Sequence, residues 1–162
     1  MLRAFLIGLV GGARAMTPLA VVANAARTGT LPADNGALRI LSHPLVSLSA
    51  TAAATYELAG DKQKTAPNRT IPPAVVIRSL NAALAGMALS SRKERFAAAA
   101  VAGATAALSA YATFALRMIA MRRGSQMVTG LVEDAIVVGA GIAAARATLP
   151  EVREPTRALS HG

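Results

Sequence analysis

Long apolar runs, each able to cross a lipid bilayer as a helix, constrain this fold more than any other feature of the sequence. A membrane-spanning helix needs about 20 mostly apolar residues, because the hydrocarbon core is about 30 Å thick and cannot hydrogen-bond exposed backbone groups. Residues 4–26, 73–90, 96–121 and 128–149 satisfy this requirement, and His43 and Pro44 interrupt a fifth run at 38–59. We therefore predict an all-α, polytopic transmembrane bundle of about five helices, or of four if the interrupted run does not cross.

The composition agrees with lipid as the solvent and excludes several classes of function. Hydrophobic residues make up 54% of the 162 residues and charged residues only 15%. Most of the basic residues behind the net charge of +9 flank apolar runs, where they can reach lipid headgroups. Aromatic residues are 3% with no Trp, so base-stacking platforms are missing and we expect no nucleic-acid partner. Without cysteine, and with two histidines, we expect no metal site.

The N-terminal segment resembles a signal peptide but continues too far to be one. "MLRAFLIGLVGGARA" has a basic start, an apolar centre and an A-x-A ending. The apolar run continues through "MTPLAVVANAA", so we predict an uncleaved first transmembrane helix. The predicted organisation is a membrane domain at residues 1–149 followed by a polar, flexible tail at 150–162, in a multi-pass protein of the bacterial inner membrane.

Several charged residues lie within or beside the apolar runs, where charge is expensive. Arg14 lies near the middle of the first run, unless that helix is short or tilted enough for its guanidinium to snorkel to the headgroups. The complete predicted cluster contains Arg14, Glu57, Asp61, Arg78, Glu133 and Asp134. Such a cluster either fixes the register of the helices or binds an ion, a proton or a small charged solute, and the sequence leaves both readings open.

Small residues at helix-packing spacing predict a tightly packed bundle, because helices in lipid associate through close backbone approach. The predicted packing positions are Gly8, Gly12, Gly103, Gly139 and Gly141. We also expect Pro18 to kink the first helix and to free the carbonyl group of Arg14.

Two motifs suggest chemistry that the rest of the chain does not support. Lys62 and Arg69 have the K-x6-R spacing of lipid-phosphate phosphatases, but position 70 is Thr instead of Pro and the catalytic histidines have no counterpart. We expect no enzyme, although Lys62, Lys64 and Arg69 can bind anionic headgroups. Gly139 and Gly141 imitate a dinucleotide fingerprint, but too little chain follows for such a fold, so we expect no cofactor.

Three blocks of sequence resemble a known family. They are "GGARAMTPLA", "ELAGDK" followed by "PNRTIPPAVVIRSLNAALAG", and "LVEDAIVVGAGIA", and together they span most of the chain. The chain resembles the small bacterial integral membrane proteins catalogued as domain of unknown function 4126. The resemblance implies a multi-helix inner-membrane protein and brings no activity with it. It singles out Gly12, Arg14, Pro18, Glu57, Asp61, Lys62, Arg78, Glu133 and Asp134.

These observations favour permeation or transport of an ion or a small solute. In this interpretation the two arginines determine the electrostatic potential along the pathway, and the acidic side chains supply oxygen ligands. The alternatives are a non-transporting structural or accessory protein and a binder of anionic lipid headgroups. We expect membrane lipids as partners and a homo-oligomer, with a dimer as the first expectation, because so small a bundle has little room for a pathway of its own.

Overall fold

The computed structural model describes residues 1–60, 71–121, 136 and 138–143. The helices are α1 (Leu2–Ala13), α2 (Thr17–Arg27), α3 (Pro44–Gly60), α4 (Pro72–Ala88) and α5 (Arg95–Met121), and a 3-10 turn covers Arg39–Ser42. Residues 138–143 are also helical. These segments contain no β-strand beyond one isolated bridge between Asn35 and Ser91, so the all-α prediction is confirmed.

Prolines set the start of two helices, as their missing N–H group and fixed φ allow. Ile71 is extended and Pro72 and Pro73 form the first turn of α4. At Pro44 the preceding His43 is extended, and its Nδ1 accepts a hydrogen bond of 3.2 Å from the Leu45 backbone N–H. The interrupted run at 38–59 is therefore a short turn followed by a full helix.

The first apolar run is not one helix, and that prediction is wrong. Arg14 is extended, with φ −137° and ψ 116°, and separates α1 from α2. A Cβ atom placed on Gly141 would lie 3.6 Å from side-chain carbons of both Val10 and Val21. In a continuous helix those two valines would be about 16 Å apart along the axis. Helices α1 and α2 therefore fold back on each other as a hairpin whose tip is Arg14.

The chain after α2 returns to the end of the bundle where α4 stops and α5 begins. The Gly36 N–H donates to Ser90 O at 2.8 Å, and the Arg92 N–H donates to Asp34 O at 3.2 Å. We call this the loop end, formed by residues 28–38 and 89–94. Both arms of the hairpin extend from the loop end into the bundle, and α3 packs beside α2.

The core is made of small residues, with α5 packed against both α1 and α4. Ala98, Ala102 and Ala106 form a fully buried stripe along α5. A Cβ on Gly8 would lie 2.6 Å from Ala102 O, and one on Gly12 would lie 2.7 Å from the backbone nitrogen of Ala110. The hairpin therefore approaches α5 as closely as the backbone permits.

The three remaining predicted packing glycines differ in how closely other atoms approach them. Gly103 faces α4, where a Cβ would come within 3.3 Å of Ser79 O. Gly141 is buried against the hairpin. Around Gly139, a Cβ would meet no atom of the described residues within 4 Å. Close packing therefore accounts for Gly103, whereas a Cβ at Gly141 would make only ordinary van der Waals contacts and one at Gly139 would meet no described atom.

One helix in the described part, Arg95–Ala115 within α5, is long and apolar enough to cross a membrane. The α1 helix is apolar but has only 12 residues, which correspond to about 18 Å.

Candidate functional site

The hairpin tip creates a hydrogen-bonding problem that two later helices solve. A helix end leaves carbonyl groups without partners, and a helix start leaves N–H groups without partners. Pro18 lies in the first turn of α2, where it removes one of these N–H groups. The predicted kink at Pro18 is therefore a complete break, and the exposed backbone groups at the break lie inside the protein.

Glu57 of α3 closes the start of α2. Its Oε1 accepts the Ala15 N–H at 2.8 Å, and its Oε2 accepts the Met16 N–H at 2.9 Å. Both carboxylate oxygens are thus occupied by backbone N–H groups at the positive end of the α2 dipole, where an anion is favoured.

Arg78 and Asn81 of α4 close the other side of the break. The Arg78 Nη1 donates to Gly12 O at 3.0 Å, and its Nη2 lies 3.7 Å from Glu57 Oε1. The Asn81 amide donates to Ala15 O at 3.1 Å. The cation thus lies at the negative end of α1 and the anion at the positive end of α2. We call Glu57, Arg78 and Asn81 the hairpin clasp.

The structure brings together three of the six residues of the predicted charged cluster. Glu57 and Arg78 form an ion pair in the clasp, and Arg14 lies at the hairpin tip, 1% exposed. This burial does not fit an arginine that snorkels to the headgroups. Several predicted site residues lie outside the described residues, and their roles stay predictions: Asp61, Lys62, Lys64, Arg69, Glu133 and Asp134.

A cavity of about 470 Å³ lies beside the clasp, between α2 and α3, and the last helical segment lines a third side. Its lining residues are Thr17, Ala20, Val21, Asn24, Ala25, Thr28, Thr30, Thr51, Ala54, Thr55, Leu58, Val138 and Ile142. They recur every three or four residues along α2 and α3, so each helix contributes one face. None of the described residues that line the cavity carries a charge.

Asn24 organises the polar side of this cavity. Its Nδ2 donates to Ala20 O and to Thr51 Oγ1, both at 2.9 Å. Its Oδ1 accepts the hydroxyl group of Ser47 at 2.9 Å, and Ser47 is 2% exposed. This network fixes the register of α2 against α3 and holds the amide in one orientation.

Sequence reasoning missed Asn81, Asn24 and the threonines of the cavity. Asn81 follows Arg78 by three residues, so helical spacing alone places it on the same face of α4. On α3, Thr51, Thr55 and Leu58 share one face in the same way. The spacing of polar residues within apolar runs was the available signal.

Comparison with known proteins identifies a family and nothing more specific. The model of the family described as "Domain of unknown function (DUF4126)" matches residues 1–152. No curated protein matches the chain, and no solved structure does. Over the described residues, no group of three or more His, Asp or Glu side chains is arranged to hold a metal ion.

Proposed function

Since the chain belongs to this family, as its sequence predicted, and the family's description assigns no activity, we propose a function from the chain's own geometry. The proposal is a polytopic inner-membrane protein that lets a small, uncharged or weakly polar solute pass through the cavity between α2 and α3. The observation that carries it is a half-length helical hairpin, clasped at its tip, beside a cavity whose mainly apolar lining carries threonine hydroxyl groups and the Asn24 amide.

The distribution of side-chain size supports a lipid environment on several faces of the bundle. Leu48, Leu80 and Leu108, on three different helices, are 65%, 59% and 75% exposed. The interior, by contrast, consists largely of alanine and glycine. Large apolar residues outside and small ones inside are typical of helices that associate within a bilayer. An exposed apolar surface of this kind is uncommon on soluble monomers.

The broken hairpin supports permeation in particular. In a bilayer, backbone that leaves the helical conformation is tolerated only where protein buries it or where it lines an aqueous cavity. Transporters use such half-helices to place helix ends at a central site. The α1 arm extends about 18 Å, so a hairpin that enters from one face would end within a core about 30 Å thick.

In this proposal the clasp holds the hairpin together and the cavity provides the path for the solute. Each oxygen of Glu57 accepts a backbone N–H, so its carboxylate serves the hairpin and not a passing ion. The lining residues that the structure describes are uncharged, which favours a neutral polar solute over an ion. A volume of about 470 Å³ has room for such a solute.

The test is an osmotic assay on the purified protein in sealed lipid vesicles. Stopped-flow light scattering after mixing with glycerol, urea or acetamide reports the entry of each solute directly, so the natural substrate need not be identified first. We expect faster re-swelling than in protein-free vesicles for at least one solute, and a lower rate in Thr55→Phe, which places a ring in the cavity. Ser49→Phe adds a ring at an exposed position on the side of α3 opposite the cavity-lining face and should retain the rate.

The closed clasp favours one alternative, a structural or accessory membrane protein. That alternative predicts no solute flux above protein-free vesicles in any of these mixtures, and a folded Thr55→Phe variant with wild-type flux would equally refute the pathway. The proposed homodimer and the binding of anionic headgroups by Lys62, Lys64 and Arg69 are separate proposals. Unchanged binding to anionic vesicles after all three are replaced by Gln would refute the latter.

A further inference from the structure

The threonines of the cavity have already used their hydrogen-bond donors. A hydroxyl group has one hydrogen to donate and two lone pairs to accept with. Thr28 Oγ1 lies 2.8 Å from Asn24 O, Thr51 Oγ1 2.8 Å from Ser47 O, and Thr55 Oγ1 2.9 Å from Thr51 O. Carbonyl oxygens only accept, so each of these hydroxyl groups donates to its helix. What remains for a molecule in the cavity is acceptor capacity.

The other polar groups of the lining follow the same pattern. Both N–H bonds of the Asn24 amide are directed at oxygen acceptors, while its Oδ1 receives one bond and has a second lone pair. Thr30 Oγ1 lies 3.3 Å from Ala25 O, near the carboxyl end of α2. That helix end carries partial negative charge, which also favours a donor.

Thr17, which lines the cavity next to the clasp, is the exception. Its side chain is 4% exposed, and its Oγ1 has no hydrogen-bond partner in the part of the chain that the structure describes. A buried hydroxyl group without a partner is costly, and such groups in native proteins commonly mark a site that another molecule completes.

We propose that the cavity selects a small neutral molecule by the hydrogen bonds it donates, as a primary amide donates them. This inference rests on the proposed function and narrows it to a class of solute. A molecule with several donors can bind the remaining lone pairs of Thr51 and Thr55, and a molecule that only accepts hydrogen bonds cannot. The recognition is therefore by donor count and not by charge.

The test compares two probes of nearly equal size, acetamide and acetone, of which acetone has no N–H group. Saturation-transfer NMR titrations on the full chain in detergent give a dissociation constant for each, and methylammonium provides a charged donor. We expect acetamide to bind with a measurable constant, and acetone and methylammonium to bind several-fold more weakly. Thr55→Val should weaken the bound donor probe about 2- to 12-fold, the value of one ordinary hydrogen bond.

Ser42→Ala is the control, because Ser42 Oγ also donates to a backbone carbonyl of its own turn, Arg39 O at 2.7 Å, and does not line the cavity. It should leave binding unchanged. Binding of methylammonium in place of acetamide would overturn the choice of a neutral solute.

Equal binding of acetone and acetamide, no binding of acetamide, or no effect of Thr55→Val overturns the donor inference. Each of these results leaves the osmotic assay free to support permeation. Donor-selective binding without flux overturns permeation instead and leaves the donor inference standing, so the two failures can be told apart.

Discussion

Replacing Glu57 by Gln changes one atom of the side chain and tests the clasp directly. The carboxylate accepts two backbone N–H groups, at 2.8 and 2.9 Å, and is 15% exposed. A glutamine retains one acceptor oxygen and turns an NH₂ group toward the second backbone N–H. The variant therefore leaves one nearly buried N–H facing another donor, and it removes the negative charge beside Arg78.

The expected loss of stability follows from these contacts. A hydrogen bond to a charged group contributes about 1.5–3 kcal/mol, and breaking a buried ion pair from one side costs about 3–5 kcal/mol. The terms overlap because they share one carboxylate, so they do not add. We expect Glu57→Gln to lower the free energy of unfolding by about 3–5 kcal/mol, a large part of the stability of a single domain.

The measurement is denaturant unfolding of the purified protein in detergent, followed by circular dichroism. Hydrogen exchange at the Ala15 and Met16 amides should rise in the same variant, since those two donors lose their charged acceptor. Glu94→Gln is the control, because Glu94 is exposed at the loop end and its replacement should alter stability by no more than about 0.5 kcal/mol. A loss below about 1 kcal/mol for Glu57→Gln, or one equal to that of Glu94→Gln, would refute the clasp.

Three further predictions follow from the packing and the hairpin. Thr17→Val removes the hydroxyl group without a described partner, so thermal unfolding should show a free energy of unfolding about 1 kcal/mol higher. The same variant should bind acetamide more weakly. Gly12→Ala should lower the free energy of unfolding by at least about 2 kcal/mol in the same experiment, because its Cβ would overlap α5. Gly139→Ala should leave it unchanged or raise it slightly. The chain has no cysteine, so single cysteines at Leu2 and Ala33 can be labelled with an impermeant maleimide in sealed vesicles. Both should react from the same side, and reaction from opposite sides would contradict the hairpin.

The sequence predicted the ends of α4 and α5 to within two residues, because both are uninterrupted apolar runs bounded by proline or polar turn residues. The prediction of 73–90 corresponds to Pro72–Ala88, and that of 96–121 to Arg95–Met121. Prolines begin the first of these helices, and a polar turn separates the two. Local signals of this kind do not depend on the partner helix.

The first run was wrong for a physical reason. Hydropathy averages over a window, so a break of three residues between two apolar half-helices is indistinguishable from one kinked helix. What decides between them lies elsewhere in the chain. Arg78 contacts a carbonyl 66 residues earlier, and no periodicity within the run encodes that contact.

The charged part of the site could be predicted and the uncharged part could not. Glu57 and Arg78 stand out because charge within an apolar run is expensive. Asn24 and the threonines do not stand out, because a hydroxyl group that bonds to its own helix costs little in an apolar environment. Their importance emerges only when α2 and α3 are placed side by side.

The clasp also bears on the order in which the protein can fold during synthesis. The hairpin leaves the ribosome first, but Glu57 follows its amide partners by more than 40 residues, and Arg78 follows Gly12 by 66 residues. At about 5–20 residues per second, Arg78 is added roughly 3–13 s after Gly12. Until then the backbone groups at the break lack the side chains that later bind them. The hairpin is therefore completed only after α3 and α4 have been made, and a chain that stops before α4 should be degraded.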